Sequence, residues 1–267
     1  MSSQAQSKHD VFEVTETDVE IKTPDGICDA AFLHPAAGAH PGVLVWADAG
    51  GLRPSLRDIG RHVAGAGYSV LVPNPFYRVR KAPVLDFSKF DFQNPADRDK
   101  LRPLMESVGA PGTAETDTAA YAAFLQSRAE VDKSRKLGVH GYCMGGRLML
   151  RSAAVLGDQM GAGASLHGGG LVTNQPDSPH LLAPKIKGQL YIGIAANDDE
   201  REPQAKDKLK EAFAAACVIA EIEVHPGTIH GWCIPDMPSQ NGKPVYNPAA
   251  AERAFDKLLA LYRTALR

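Results

Sequence analysis

The sequence has no surplus of basic charge and no long apolar run. Its 267 residues carry 29 Lys and Arg against 31 Asp and Glu, a formal net charge of −2, and this balance predicts no nucleic-acid partner. No apolar stretch approaches the roughly 20 residues that a membrane-spanning helix needs. The N-terminal segment lacks the apolar core of a signal peptide. We therefore expect a cytoplasmic protein without membrane contact, in which residues 1–10 form a flexible tail.

Cysteine is scarce as well. The four cysteines are widely separated and show none of the spacings of a zinc site or a disulfide framework; they are Cys28, Cys143, Cys217 and Cys233. We therefore expect neither a metal nor another cofactor. A reduced cytoplasmic setting would keep a reactive thiol usable.

One short motif carries most of the chemical information. Residues 139–147 contain the pattern G-x-C-x-G between an apolar run and a helix-like segment. A nucleophile elbow requires a strand, a sharp turn and a helix, because the turn must hold one side chain exposed at the end of a sheet. Gly141 and Gly145 keep side chains out of the place where strand and helix meet. The thiol of Cys143 then predicts a hydrolase that attacks a carbonyl carbon with sulfur; the alternative is a core cysteine beside a glycine turn.

Two further residues follow Cys143 in the order that α/β-hydrolases use, which is nucleophile, acid and histidine. Asp198 comes after an apolar stretch at residues 190–196 that is typical of a buried strand. His230 comes after the alternating residues 220–225 and a Pro-Gly pair that ends the strand. We expect His230 to take the thiol proton and Asp198 to orient the imidazole. Asp199 is the rival acid, since the sequence cannot separate adjacent aspartates, but Asp198 is preferred.

The order of elements predicts the α/β class. Strand-like and helix-like segments alternate after an initial pair of strands, which is typical of a mostly parallel sheet with helices on both faces. At 267 residues the chain is expected to form a single domain. Segment 77–112 is rich in Pro, Lys, Arg and Asp, with Phe87, Phe90 and Phe92 interleaved. We expect this segment to form a loop and a short helix beside the site.

The chain resembles the dienelactone hydrolase (carboxymethylenebutenolidase) family of the α/β-hydrolase superfamily. The stretches that carry the resemblance are residues 47–53, 66–73, 141–146, 195–198 and 226–231. The resemblance implies an α/β-hydrolase fold, a small ester or lactone as substrate, and an acyl-thioester intermediate on a Cys143–Asp198–His230 triad. It also implies that the backbone N–H groups of Met144 and Ala49 bind the oxyanion.

Two positions depart from the family pattern. The best-known members have a glutamate where Asp48 stands, and that glutamate interacts with the resting thiol. The resemblance implies that Asp48 modulates the nucleophile. The alternative is a loop aspartate whose carboxylate accepts hydrogen bonds from local backbone N–H groups. Ile234 stands where an arginine holds a substrate carboxylate, so we expect a weaker preference for carboxylate-bearing substrates. Four other arginines could supply positive charge, although a surface role is favoured for each: Arg78, Arg80, Arg98 and Arg102.

A second glycine motif has a less direct interpretation. Residues 167–170 read His-Gly-Gly-Gly, like the oxyanion motif of lipases, but that motif precedes the nucleophile. Here we expect only that the backbone passes close to the site.

Two other functional classes stay open. One is a redox-active cysteine protein, with Cys233 as resolving thiol if it lies near enough; the other is a non-catalytic α/β-hydrolase relative. The sequence does not predict the oligomeric state.

Overall fold

The computed structural model describes residues 11–267, and its strands form one eight-stranded sheet. The strands are β1 (Val14–Thr23), β2 (Gly26–Pro35), β3 (Gly42–Trp46), β4 (Ser69–Pro73), β5 (Leu137–Tyr142), β6 (Met160–Leu166), β7 (Gln189–Ala195) and β8 (Ala220–His225). Their order across the sheet is β1-β2-β4-β3-β5-β6-β7-β8. Strands β1 and β2 pair antiparallel, as do β2 and β4, and all other pairs are parallel. The expected tail lies outside the described residues.

The helices cover both faces of this sheet. They are α1 (Pro54–Gly65), α2 (Pro95–Gly109), α3 (Thr113–Ser127), α4 (Met144–Leu156), α5 (Ala196–Arg201), α6 (Ala205–Ala215) and α7 (Pro248–Ala265). Apolar residues of α2, α3, α4 and α6 form one core, and those of α1 and α7 contribute to a second. Every residue of β3, β4, β5 and β6 is buried, as expected for parallel strands covered on both faces. The expected α/β-hydrolase fold is confirmed.

Two elements differ from the expectation. Segment 77–112 contains a 15-residue helix, α2, rather than a short one. Asn94 caps it by accepting a hydrogen bond from the Ala96 N–H, but few of its residues are buried, so the sequence shows little apolar periodicity. The chain also turns into α5 directly after β7, which places Asp198 in the first turn of a six-residue helix that was not foreseen.

No helix between residues 11 and 267 combines the length and the apolar character that crossing a membrane would require.

Candidate active site

Cys143 occupies a strained turn between β5 and α4. Its backbone has φ +54° and ψ −118°, a conformation that L-residues rarely adopt. The turn is closed tightly, because a Cβ on Gly141 would lie 2.1 Å from the carbonyl oxygen of Gly145, and one on Gly145 would lie 2.5 Å from that of Trp46. Both positions therefore require glycine. The strand, turn and helix expected from the motif are present.

His230 lies on the turn after β8 and bonds to one of the two adjacent aspartates. Its Nδ1 is 2.6 Å from Oδ2 of Asp198, and its backbone N–H donates to Oδ1 of Asn197 at 2.9 Å. The carboxylate of Asp199 instead accepts a hydrogen bond from Lys206 at 2.7 Å. Asp198 is therefore the aspartate that contacts the imidazole.

His230 and Cys143 line the same cavity, and the charge of Cys143 acts on the imidazole. Burial by itself lowers the pKa of His230, but the negative charge of an ionised Cys143 and the hydrogen bond with Asp198 outweigh it and raise that pKa to about 10. A negative charge on Cys143 and a positive charge on this imidazole therefore stabilise each other. A thiolate is the nucleophilic form of cysteine.

A cavity of about 400 Å³ opens over Cys143 and His230. Ala49, from the loop after β3, lies in its wall, and Met144 is the first residue of α4, where backbone N–H groups have no partner within the helix. The opposite wall carries four apolar side chains, which are Phe87, Phe92, Met237 and Val245. Segment 77–112 thus lies beside the site, as expected.

Asp48 lines this cavity, but its carboxylate is fully engaged. Arg53 donates to both of its oxygens, at 2.6 Å and 2.9 Å, and the Gly50 N–H donates to Oδ1 at 2.9 Å. Arg53 is itself buried, donates to Asp236 and lies over the ring of Phe87 at 4.2 Å. The bond from the Gly50 N–H is of the kind that the alternative expectation describes, whereas the two bonds from the Arg53 side chain were not foreseen.

The arginines singled out from the sequence do not line the cavity. Arg78 is held by Asp25 and Asp117, and Ile234 is fully buried. Within residues 11–267, the arginine in the cavity wall is Arg201, which donates to Oδ1 of Asp198 at 2.8 Å. Arg201 could not be selected from the sequence, because its three-residue spacing from Asp198 indicates a contact only once helix α5 is known.

The motif at residues 167–170 approaches the nucleophile more closely than expected. The Gly169 N–H donates to the carbonyl oxygen of Cys143 at 3.2 Å, which fits the expected passage of backbone near the site. The side chain of His167 was not foreseen as a contact. Its Nδ1 accepts a hydrogen bond from the Cys143 N–H at 3.2 Å, and its ring centroid lies 5.3 Å from that of His230.

The remaining cysteines show no sign of redox pairing. Within the described part of the chain all four thiols are free. Burial raises the pKa of the Cys233 thiol well above its usual range, which makes a resolving role unfavourable. No group of three or more His, Cys, Asp or Glu side chains among residues 11–267 is arranged to hold a metal ion.

The family model and the curated relatives point to the same family. A model of the dienelactone hydrolase family matches residues 28–266. A provisionally named carboxymethylenebutenolidase of Synechocystis sp. is 26% identical over 235 residues, covering 87% of this chain and 89% of the relative. A solved dienelactone hydrolase from Anabaena variabilis has a TM-score of 0.66 at 16% identity, covering 95% and 99% of the two chains. A dienelactone hydrolase-like promiscuous phosphotriesterase from metagenomic libraries has a TM-score of 0.77 at 21% identity, with the same coverage.

Proposed function

The chain belongs to the dienelactone hydrolase family and is an ester or lactone hydrolase, and from that premise we propose that it cleaves a small substrate through a triad of Cys143, His230 and Asp198. One observation carries the proposal. The imidazole of His230 bonds through Nδ1 to a carboxylate and lines the same cavity as the strained elbow cysteine. This is the arrangement that nucleophilic acyl transfer requires.

In the proposed first half-reaction, the Cys143 thiolate attacks the carbonyl carbon and a C–S bond forms. The negative charge moves to the carbonyl oxygen, where the N–H groups of Met144 and Ala49 stabilise it. The C–O bond to the alcohol then breaks, and the His230 imidazolium gives its proton to the leaving alkoxide. In a lactone the alcohol stays attached to the acyl group.

In the second half-reaction, water attacks the acyl-thioester. His230, now neutral, accepts the water proton, and the C–S bond breaks to return the thiolate and release the carboxylic acid product. Asp198 holds the imidazole in one orientation and stabilises its protonated form throughout.

We assign Asp48 a holding role rather than one in proton transfer. Its carboxylate accepts two hydrogen bonds from Arg53 and one from the Gly50 N–H, so it has little freedom to take the thiol proton. These bonds fix the loop on which Ala49 lies and thereby place one of the two oxyanion donors.

The cavity supports a small substrate with an apolar part. Its apolar wall contains two phenylalanines, Phe87 and Phe92. Ile234 has no charge with which to bind a carboxylate, and Arg201 already donates a hydrogen bond to Asp198. We therefore propose that a free carboxylate on the substrate brings only a weak advantage.

The decisive experiment is turnover of an aryl ester and of a simple aromatic lactone. Cys143→Ala should abolish turnover while the protein stays folded, and mass spectrometry of the parent enzyme during turnover should detect the acyl group on Cys143. Cys217→Ala is the matched control, since Cys217 is an exposed thiol and its loss should leave the rate unchanged. Substantial turnover by Cys143→Ala would exclude the proposed nucleophile.

A further inference from the structure

A second histidine lies against the site and is not used by the proposed mechanism. His167 follows β6, is fully buried and has a backbone φ of +41°. Its ring meets that of His230 edge to face, with the planes at 72°. It therefore touches both the nucleophile's backbone and the imidazole that moves the proton.

The hydrogen bond fixes the chemical form of this ring. Because Nδ1 accepts from the Cys143 N–H, it carries no proton, and the proton of the neutral ring lies on Nε2. Burial, and then the charge of nearby His230, lower the pKa of His167 well below its usual range. Nε2 has no hydrogen-bond partner among the described residues. His167 is thus an uncharged imidazole beside one that becomes charged.

The backbone of Cys143 needs such support. Its N–H is shared between His167 and the carbonyl oxygen of Leu166, each at 3.2 Å, and its own carbonyl oxygen accepts from Gly146 and Gly169. The strained φ of Cys143 persists only where surrounding contacts determine it. Among these contacts, the one with His167 is made by a side chain.

We propose that His167 is a positioning residue, which holds the Cys143 backbone through Nδ1 and braces the His230 ring, so that sulfur and imidazole keep their reactive arrangement. The proposal rests on the proposed function of the same site. A neutral ring suits this place because a second cation 5.3 Å from His230 would oppose its protonation.

Three substitutions at His167 distinguish the role of its Nδ1 from that of its Nε2. Asn places an amide oxygen near the position of Nδ1, Gln places its amide near the position of Nε2, and Leu supplies neither. We expect His167→Asn to keep kcat within about threefold, whereas His167→Gln and His167→Leu lose kcat on the order of 100-fold with little change in KM, because a small misplacement of reacting groups is costly.

The control is another fully buried histidine. His140 lies on β5, and its Nδ1 bonds to the hydroxyl of Tyr262. We expect His140→Leu to lower the midpoint of thermal unfolding while leaving kcat nearly unchanged. Equal losses of kcat in His140→Leu and His167→Leu would reduce the effect to general packing and overturn the proposal. Rescue by Gln rather than Asn would overturn the role of Nδ1.

Two measurements are independent of ester turnover. In nitrogen-15 spectra of the folded parent protein, His167 should show a protonated Nε2 and an unprotonated Nδ1; the opposite tautomer would refute the proposal even if no variant folds. Alkylation of Cys143 by iodoacetamide should slow in His167→Leu and recover in His167→Asn. A parent enzyme that turns over no ester would defeat the proposed function, whereas the alkylation pattern would still decide the role of His167.

Discussion

The site contains two aspartates, the buried Asp48 and the partly buried Asp198, and each bonds to a cationic partner of a different kind. Asp48 is held at both oxygens by Arg53, whose charge is permanent. Asp198 bonds to His230, whose charge would change with each proton transfer of the proposed mechanism. A carboxylate paired with a permanently charged arginine can hold a loop in place. A carboxylate paired with an imidazole instead responds to the protonation of that imidazole. The predictions below test this contrast, beginning with the largest expected effect.

Removing the charge of Asp198 should be the most damaging change. Asp198→Asn leaves the shape of the side chain but no longer stabilises the imidazolium, so we expect kcat to fall about 10³–10⁴-fold. Steady-state kinetics on an aryl ester measure this loss. The adjacent Asp199→Asn is the matched control and should cost less than about threefold, because its partner is Lys206. If the two variants lost activity equally, Asp198 would not be the acid.

The pH dependence should separate the two aspartates. Because the pKa of His230 is raised from 6.5 to about 10, its protonated form persists through neutral pH, and kcat/KM should decline only as the pH rises toward 10. In Asp198→Asn the alkaline limb should move to lower pH, whereas in Asp48→Asn it should stay in place. A shifted limb in Asp48→Asn would return Asp48 to the proton-transfer pathway.

The raised pKa of His230 should also make the stability of the protein depend on pH. A histidine whose pKa is raised on folding stabilises the protein fully below its unfolded value of 6.5, and this contribution is lost as the pH rises through about 10. We expect the difference in the free energy of unfolding between the parent and His230→Gln to be larger at pH 6 than at pH 10. Denaturant unfolding at the two pH values measures it, and an equal difference would contradict the raised pKa.

Asp48 should matter more for stability than for chemistry. Asp48→Asn leaves the buried Arg53 with Asp236 as its remaining carboxylate partner, and we expect a loss of about 3 kcal/mol in the free energy of unfolding. Urea unfolding checks this value. Asp99→Asn removes a pair with Arg102 that is largely exposed on both sides and should cost less than about 1 kcal/mol. Similar losses in both variants would mean that burial of the Asp48 pair is unimportant.

The smallest effect is expected at Arg201. This arginine is 61% exposed and bonds to the outer oxygen of Asp198, so Arg201→Gln should change kcat by less than about threefold. Paired neutral and carboxylate-bearing lactones then test the substrate preference. Strong selectivity of the parent for the carboxylate member, lost in Arg201→Gln, would show that Arg201 binds the substrate.

The central strands and the elbow could be predicted because their signals are local. An apolar run at residues 137–139 is followed closely by the G-x-C-x-G pattern of residues 141–145, and the strand and helix on either side follow from them. The α/β-hydrolase fold and the hydrolase class are confirmed. The roles of Cys143, Asp198 and His230, and the single-domain organisation, stay predictions.

Other features could not be predicted because they depend on distant partners. Arg53 donates a hydrogen bond to Asp236, which lies 183 positions later in the sequence. His167 contacts the ring of His230, which lies on the turn after β8. Helix α2 was underestimated because most of its side chains face solvent. The spacing of residues in the sequence does not reveal such contacts, because they form only when the sheet assembles.

Arg53 joins three segments that a protein engineer would wish to vary separately. It bonds to the loop of Ala49, lies over Phe87 in one wall, and bonds to Asp236 next to the Met237 wall. Substitutions that reshape either wall for a new substrate should therefore also shift the loop that carries Ala49. Their effects on turnover should be non-additive with those of changes at Asp48. Laboratory evolution of this cavity should proceed most freely at lining positions outside these three segments, such as Val245.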